Sequence, residues 1–398
     1  MRLKSLLIAV FLLLAMPVFI WADGWPVKFR DLSDSSIHTE ALTKLKEFSE
    51  KFAGDPSANE AVKLLKADSS NKNKNAWIDK ILSFTTLVLK THPPKEENKE
   101  IREAALLILD YPLHVDASSK GADPKLRMAW QEALTNYYKA GTTQAIKEIQ
   151  SEKPGNGLII WKMYNMGFVV KSKNHSIGFD IVSDMGRALD SKQIAALAKK
   201  LDILFISHAH GDHISFELIK TMAKAGKKIV MPASVGQALK LDEKNLVQLY
   251  DNSKQSTDMD GMKILSFPGK QDQLDCSVYV VSLDGFTVSH NGDNMRGEIY
   301  QEIARGSQID VLLANCWSGM RGYIETTKPK MVISGHENEL GHEVSHRESY
   351  LKTFNCLNGV KAGSHIFVME CGEQISYPLA NAPKSENEAP KNRTEKSK

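Results

Sequence analysis

The run Ile203-Leu204-Phe205-Ile206-Ser207-His208-Ala209-His210-Gly211-Asp212-His213 decides how the chain is read. Four consecutive apolar residues predict a short buried strand, and Gly211 turns the chain into a loop at its end. The strand thus delivers three imidazoles and one carboxylate to the rim of a sheet. Neutral imidazole together with carboxylate suits zinc, iron or manganese. His208 and His210, two residues apart, share one side of an extended segment. Asp212 and His213 turn away to a second point, a division that suits two adjacent metal ions. The plain alternative is a loop of solvated or helix-capping histidines. Only 12 of the 398 residues are histidine, so such clustering favours ligands.

Two later stretches have the same form, an apolar run that ends in a ligand-type residue. Gly285-Phe286-Thr287-Val288-Ser289-His290-Asn291-Gly292-Asp293 ends at Asp293, and Lys328-Pro329-Lys330-Met331-Val332-Ile333-Ser334-Gly335-His336 ends at His336. The three motifs, in this order, resemble the metallo-β-lactamase superfamily. In style they are nearest its branch of lactonases and the N-acyl-phosphatidylethanolamine phospholipase D. The likeness covers about residues 157–378. It implies an α/β (α+β) fold, a four-layer αββα sandwich, preceded here by a helical N-terminal region. It also implies two divalent metal ions, zinc first, with manganese or iron as alternatives. Their ligands would be His208, His210, Asp212, His213, Asp293 and His336, with Asp293 bridging. Asp212 would also be catalytic, steering the attacking water.

The pattern departs from the family at one place. Another histidine is expected at the end of a strand, but Ile264-Leu265-Ser266-Phe267-Pro268-Gly269-Lys270-Gln271-Asp272 has none. Asp272 is the candidate replacement oxygen ligand, with Gln271 a weaker candidate and His290 a further one. The first site (His208, His210, Asp293) is therefore short of a ligand, whereas the second (Asp212, His213, Asp293, His336) is complete. His290 and His342 are candidates for contact with substrate or with the ligands. His342 and His346, four apart, would share one face of a helix, and a helix is predicted over 343–354.

The implied function is a metal-dependent hydrolase that uses a metal-activated hydroxide on an ester, lactone or phosphodiester. The substrate would be a small molecule or lipid-derived. No Gly-x-Ser-x-Gly elbow is present to supply a serine nucleophile. With 51 basic and 48 acidic residues, nothing points to nucleic acid. The alternative is a non-catalytic or metal-poor binding protein of the same fold in the cell envelope. A third reading makes the helical segment an envelope interaction module.

The organisation follows from composition. Residues 1–22 have a basic start and an apolar stretch broken by Pro17, and read as a secretory signal peptide. The protein is thus expected to be exported, periplasmic or secreted, with no integral span after cleavage. Residues 23–152 form the helical extension, 153–380 the hydrolase domain and 381–398 a disordered tail. Cys276, Cys316, Cys356 and Cys371 have no C-x-x-C spacing, and both free thiols and bridges fit. Substrate, metal identity and oligomeric state are not encoded in any motif.

Overall fold

In the computed structural model the described residues are 74–114, 124–239, 246–249, 253–342 and 347–379, with a few isolated helical positions before 74. The signal-peptide and tail segments lie outside them, as does His346.

Three helices come first: α1 (Lys74–Thr91), α2 (Lys99–His114) and α3 (Pro124–Ser151). None of the described helices is long and apolar enough to cross a membrane. Two seven-stranded sheets follow. The first has the order β14-β1-β2-β3-β4-β5-β6, from β1 (Leu158–Lys162), β2 (Phe168–Lys171), β3 (Ser176–Phe179), β4 (Ile203–Phe205), β5 (Lys228–Pro232), β6 (Leu246–Leu249) and β14 (Gln374–Tyr377). The second has the order β13-β12-β11-β10-β9-β8-β7. It contains β7 (Gln255–Met259), β8 (Met262–Gln271), β9 (Leu274–Leu283), β10 (Phe286–His290), β11 (Val311–Asn315), β12 (Met331–Gly335) and β13 (His365–Phe367).

The same pattern recurs in both sheets. Strands β1–β3 pair antiparallel, then β3–β6 run parallel. Strands β7–β10 pair antiparallel, then β10–β13 run parallel. Parallel strands need crossovers, and helices supply them. α4 (Ser191–Ala198), α5 (Phe216–Lys224) and α6 (Ala233–Leu239) serve the first sheet, α7 (Glu298–Gly306) and α8 (Met320–Thr327) the second. Each set packs its apolar stripe on the outer face of its sheet. Between the sheets lies a shared core that includes Phe168, Phe179, Phe205, Tyr279, Val288 and Ile333. The result is the αββα sandwich expected from the motifs.

Local signals explain the crossover helices. Asp190 forms a capping box with Gln193 at the start of α4, and Ser215 accepts from the Leu218 N–H at the start of α5, as its sequence position predicts. Of the helix predicted over 343–354, residues 343–346 lie outside the described residues, and the described part is helical from Tyr350 in α9 (Tyr350–Leu357), capped by Ser349. His342 itself lies in a bend after β12 rather than in a helix. All four cysteines are free.

Helices α1–α3 form one apolar cluster with Tyr164, Leu340, Tyr350 and Val368 of the sandwich. Arg102 on α2, almost fully buried, holds both Glu373 oxygens at 2.7 Å. Gly141 on α3 lies against the backbone of Cys371 and Gly372, and a Cβ there would sit 2.5 Å from the Cys371 carbonyl oxygen. Gly141→Ala is therefore expected to destabilise the protein by about 1–3 kcal/mol, the usual cost of overpacking. Denaturant unfolding will measure this, and an unchanged midpoint would show that α3 can move away freely.

Candidate metal centre

In parallel sheets, ligand-binding loops gather at the carboxyl ends of the strands. Here five such ends, from both sheets, meet. Asp180 follows β3, the Ser207–His213 run follows β4, Asp293 follows β10, Asn315 ends β11 and His336 follows β12. Cross-sheet bonds fix the meeting point. Tyr279 Oη donates to the Ile206 carbonyl at 2.7 Å, and Ser277 N to the Ser207 carbonyl at 2.8 Å.

Three groupings of imidazole and carboxylate result: Asp212, His213, Asp293 and His336; His208, His210 and Asp293; and Asp180, His208 and His213. Within each, the ligand-type atoms lie within 4.8 Å of one another. His213 Nε2 is 3.2 Å from Asp293 Oδ1 and 3.3 Å from Asp212 Oδ2. His336 Nε2 is 3.2 Å from Asp212 Oδ2 and 3.5 Å from Asp293 Oδ2. His208 Nε2 is 3.7 Å from Asp293 Oδ2. The first two groupings bring together the residues of the two sites expected from the sequence, and all six predicted ligands are in them.

Buried polar groups normally have partners. Here His208 Nε2, His213 Nε2 and both His336 nitrogens are buried without a hydrogen-bond partner. These orphaned nitrogens beside two carboxylates fit a divalent cation.

The orientation of the imidazoles comes from Asp180. His213 Nδ1 donates to Asp180 Oδ2 at 2.8 Å. His208 Nδ1 donates to Ser207 Oγ at 2.9 Å, and that hydroxyl donates to the same Asp180 oxygen at 2.5 Å. Both rings are thus held with Nε2 pointing into the cluster, the support that ligating histidines need. On the carboxylate side, Asn315 Nδ2 donates to Asp293 Oδ1 at 2.6 Å, and Asn165 Nδ2 to the carbonyl and Oδ2 of Asp212 at 3.0 and 3.3 Å. Gly292, at φ 49°, lets the Asp293 loop approach: a Cβ there would lie 2.5 Å from the Ser207 side chain.

Electrostatics follow from burial and proximity. Burial, with the neighbouring His213 charge, pushes the His208 pKa down to about 3, so it is neutral as a ligand must be. Burial opposes charge on His213 as well, but Asp293, Asp212 and Asp180 outweigh it and hold it well above the ordinary value, so a cation bound between these carboxylates would take the place of its Nε2 proton. Burial alone would raise the Asp293 carboxyl, yet His213, His336 and His208 keep it well below the usual carboxylate range. Asp180 is likewise held down by His290 and His213 against its burial.

The remaining predicted residues fall elsewhere. His290 lies behind the centre, stacked on Phe179 with centroids 5.1 Å apart. Its Nε2 donates to the Met166 carbonyl at 3.3 Å, and its Nδ1 accepts from Gly292 N at 3.3 Å, so neither nitrogen is free to ligate. His342 pairs through Nδ1 with Glu339 Oε2 at 3.0 Å, its ring 6.3 Å from that of His336. Asp272 is not brought to the centre. It is exposed, at φ 51°, in the turn between β8 and β9, and belongs to none of the three groupings. Gln271 beside it is buried, with Oε1 unpartnered.

Asp180, Asn165 and Asn315 were not picked out from the sequence. The available signal was polar residues at the ends of short apolar strands, Ile177-Gly178-Phe179-Asp180 and Val311-Leu312-Leu313-Ala314-Asn315.

These ligand-bearing loops on two half-parallel sheets fix the fold. The chain has the metallo-β-lactamase fold. None of the protein-family models matches this metallo-β-lactamase-fold chain. It is similar to a UPF0173 metal-dependent hydrolase of Thermococcus onnurineus, 32% identical over 110 residues, or 25% of the chain. That match spans about half of the relative's length (48%). A UPF0173 metal-dependent hydrolase of Thermococcus kodakarensis is 26% identical over 193 residues, 44% of this chain and 81% of the relative. Among solved structures, Igni18, a metallo hydrolase of Ignicoccus hospitalis, is 18% identical and covers 56% of this chain and 99% of its own, with a TM-score of 0.44.

If Asp180 orients two ligands, Asp180→Asn will weaken metal binding by about 10–100-fold while the fold persists. Chelator competition monitored beside circular dichroism will read this; wild-type affinity in the variant would remove Asp180 from the account.

Proposed function

We propose that the chain is a metal-dependent hydrolase acting on an ester, lactone or phosphodiester. The observation that carries this reading is the set of buried, partnerless imidazole nitrogens converging on Asp212 and Asp293. His208, His210 and Asp293 would hold one ion, and Asp212, His213, Asp293 and His336 a second. A bound divalent ion lowers the pKa of a water to about 7 and polarises a carbonyl or phosphoryl oxygen.

The protein's own groups complete the chemistry. Asp180 and Ser207 hold the imidazoles in the tautomer with Nε2 free. Asp212, anchored by Asn165 and partly exposed, orients the attacking water by accepting its hydrogen bond. His342, fixed by Glu339, contacts the substrate at the rim. Phe216 and Met295 are among the few large apolar side chains exposed among the described residues, three positions after His213 and two after Asp293. Their placement supports a substrate with an apolar substituent, small or lipid-derived.

Gln271 takes the place of the missing histidine. It ends β8, whose Lys270 binds the Asp293 loop on both sides: Lys270 N donates to Asn294 Oδ1 at 3.1 Å, and Met295 N to the Lys270 carbonyl at 2.7 Å. Gly269, two residues back and so on the same face, abuts the Asn294 side chain. An amide oxygen is a weaker, harder ligand than imidazole, which favours manganese or iron beside zinc at that site.

The competing reading, a non-catalytic binding protein of the same fold, draws on that missing histidine. Turnover separates the two. Chelation should abolish hydrolysis of nitrophenyl esters or bis(nitrophenyl) phosphate, and added divalent metal should restore it. His208→Ala and Asp293→Ala should each lower kcat by at least a hundredfold with the fold intact. Unchanged turnover in either variant would sink the metal mechanism, and the absence of turnover in metal-loaded wild type on every ester and phosphodiester tried would favour the binding protein.

A further inference from the structure

The loop that carries His336 has an unusual backbone. His336 has φ 75° and Asn338 φ 55°, two non-glycine residues in the left-handed region within three positions. Such conformations cost on the order of 1–3 kcal/mol each and persist only where the surroundings over-determine them. Part of that restraint comes from the sandwich. His336 N donates to the Asn165 carbonyl at 3.2 Å, and Glu337 forms a buried ion pair with Lys162.

The rest comes from the N-terminal helices. Asp110 on α2 is 1% exposed. Its Oδ1 accepts from Asn338 Nδ2 at 2.9 Å and from Tyr350 N at 2.8 Å, and its Oδ2 accepts from Leu351 N at 2.8 Å. One carboxylate from α2 therefore caps the first turn of α9 and grips the residue two beyond His336. Asn338 N donates to the Glu348 carbonyl at 2.8 Å, so both ends of this excursion are tied together. Arg347, on the return limb, donates to the Leu113 carbonyl of α2 at 2.8 Å and to the Leu340 carbonyl at 3.1 Å. Leu340 itself sits in the apolar cluster of α1–α3. A module that merely docked on the sandwich would not need a buried carboxylate bonded to the ligand loop.

We propose that Asp110 is a positioning residue for the second metal site, and that the helical extension fixes the backbone which presents His336. This rests on the metal-centre reading, since it concerns how one of its ligands is held. It gives the N-terminal helices a role in the centre without contact with metal or substrate.

The test uses the full chain with Asn338→Gly and Asp110→Ala. Glycine tolerates the left-handed backbone, so Asn338→Gly removes only the side-chain grip and leaves Asp110 bonded to α9. It remains informative if Asp110→Ala fails to fold. Zinc affinity is measured by chelator competition, the cobalt-substituted visible spectrum reports ligand geometry, and hydrogen exchange of residues 336–341 is followed in the metal-free protein. Each variant that folds should bind the zinc held by Asp212, His213, Asp293 and His336 at least tenfold less tightly, show an altered cobalt spectrum, and exchange at 336–341 at least tenfold faster. Wild-type affinity, spectrum and exchange in folded Asn338→Gly and Asp110→Ala would overturn the proposal. Wild-type protein that takes up neither zinc nor cobalt would overturn the metal reading instead. The exchange rates would then decide alone whether Asp110 holds the loop.

Discussion

The centre depends on one buried carboxylate. Asp180 carries its charge where water is excluded, which is costly unless the charge is matched and hydrogen-bonded. Its partners are the His213 ring and the Ser207 hydroxyl, the latter relaying to His208. The match leaves two imidazoles with one nitrogen spent and the other facing an acidic cluster. Without Asp180 those rings could rotate, and Asp293 would lose the geometry that lets two groupings share it. The φ of 41° at Asp180 shows how sharply the chain leaves β3 to bring that carboxylate inward.

The sandwich makes this placement natural. Each sheet is an antiparallel meander that becomes parallel, and the parallel halves open their carboxyl ends on the same side. Loops from β3, β4, β10, β11 and β12 meet without any one strand carrying the whole site. The helical extension is attached through Arg102, Gly141 and the Asp110 contacts to the segment after β12, so it braces the same end of the molecule. Its interface contains buried charge as well as apolar area, which sets orientation more strictly than apolar packing alone.

Much of this was legible in the sequence because strand-then-ligand motifs are local. The runs ending at His208–His213, Asp293 and His336 needed no knowledge of pairing. Asp180 and Asn315 were harder, because a single polar residue at a strand end has no local sign of function. Asp272 was the first candidate replacement because Pro268 and Gly269 read as the end of a strand. In fact β8 runs on to Gln271, since β7 pairs only as far as Ser266 and the missing Pro268 N–H leaves no ladder bond broken there. The turn therefore falls at Asp272 and puts it in solvent, while Gln271 is buried. Strand β14 was not anticipated, because it pairs with β1 from the far end of the chain. No local pattern encodes such a partner. In the described residues the helix predicted over 343–354 is seen from Tyr350, where its first turn is set by Ser349 and by Asp110, more than two hundred residues away.

The central proposal is that this cluster holds two ions although its first site has only two imidazoles, His208 and His210. Elemental analysis of the purified protein, after reconstitution with zinc, manganese or iron and removal of unbound metal, tests it most directly. The account predicts about two equivalents per chain. One equivalent or none under every one of these conditions would contradict it.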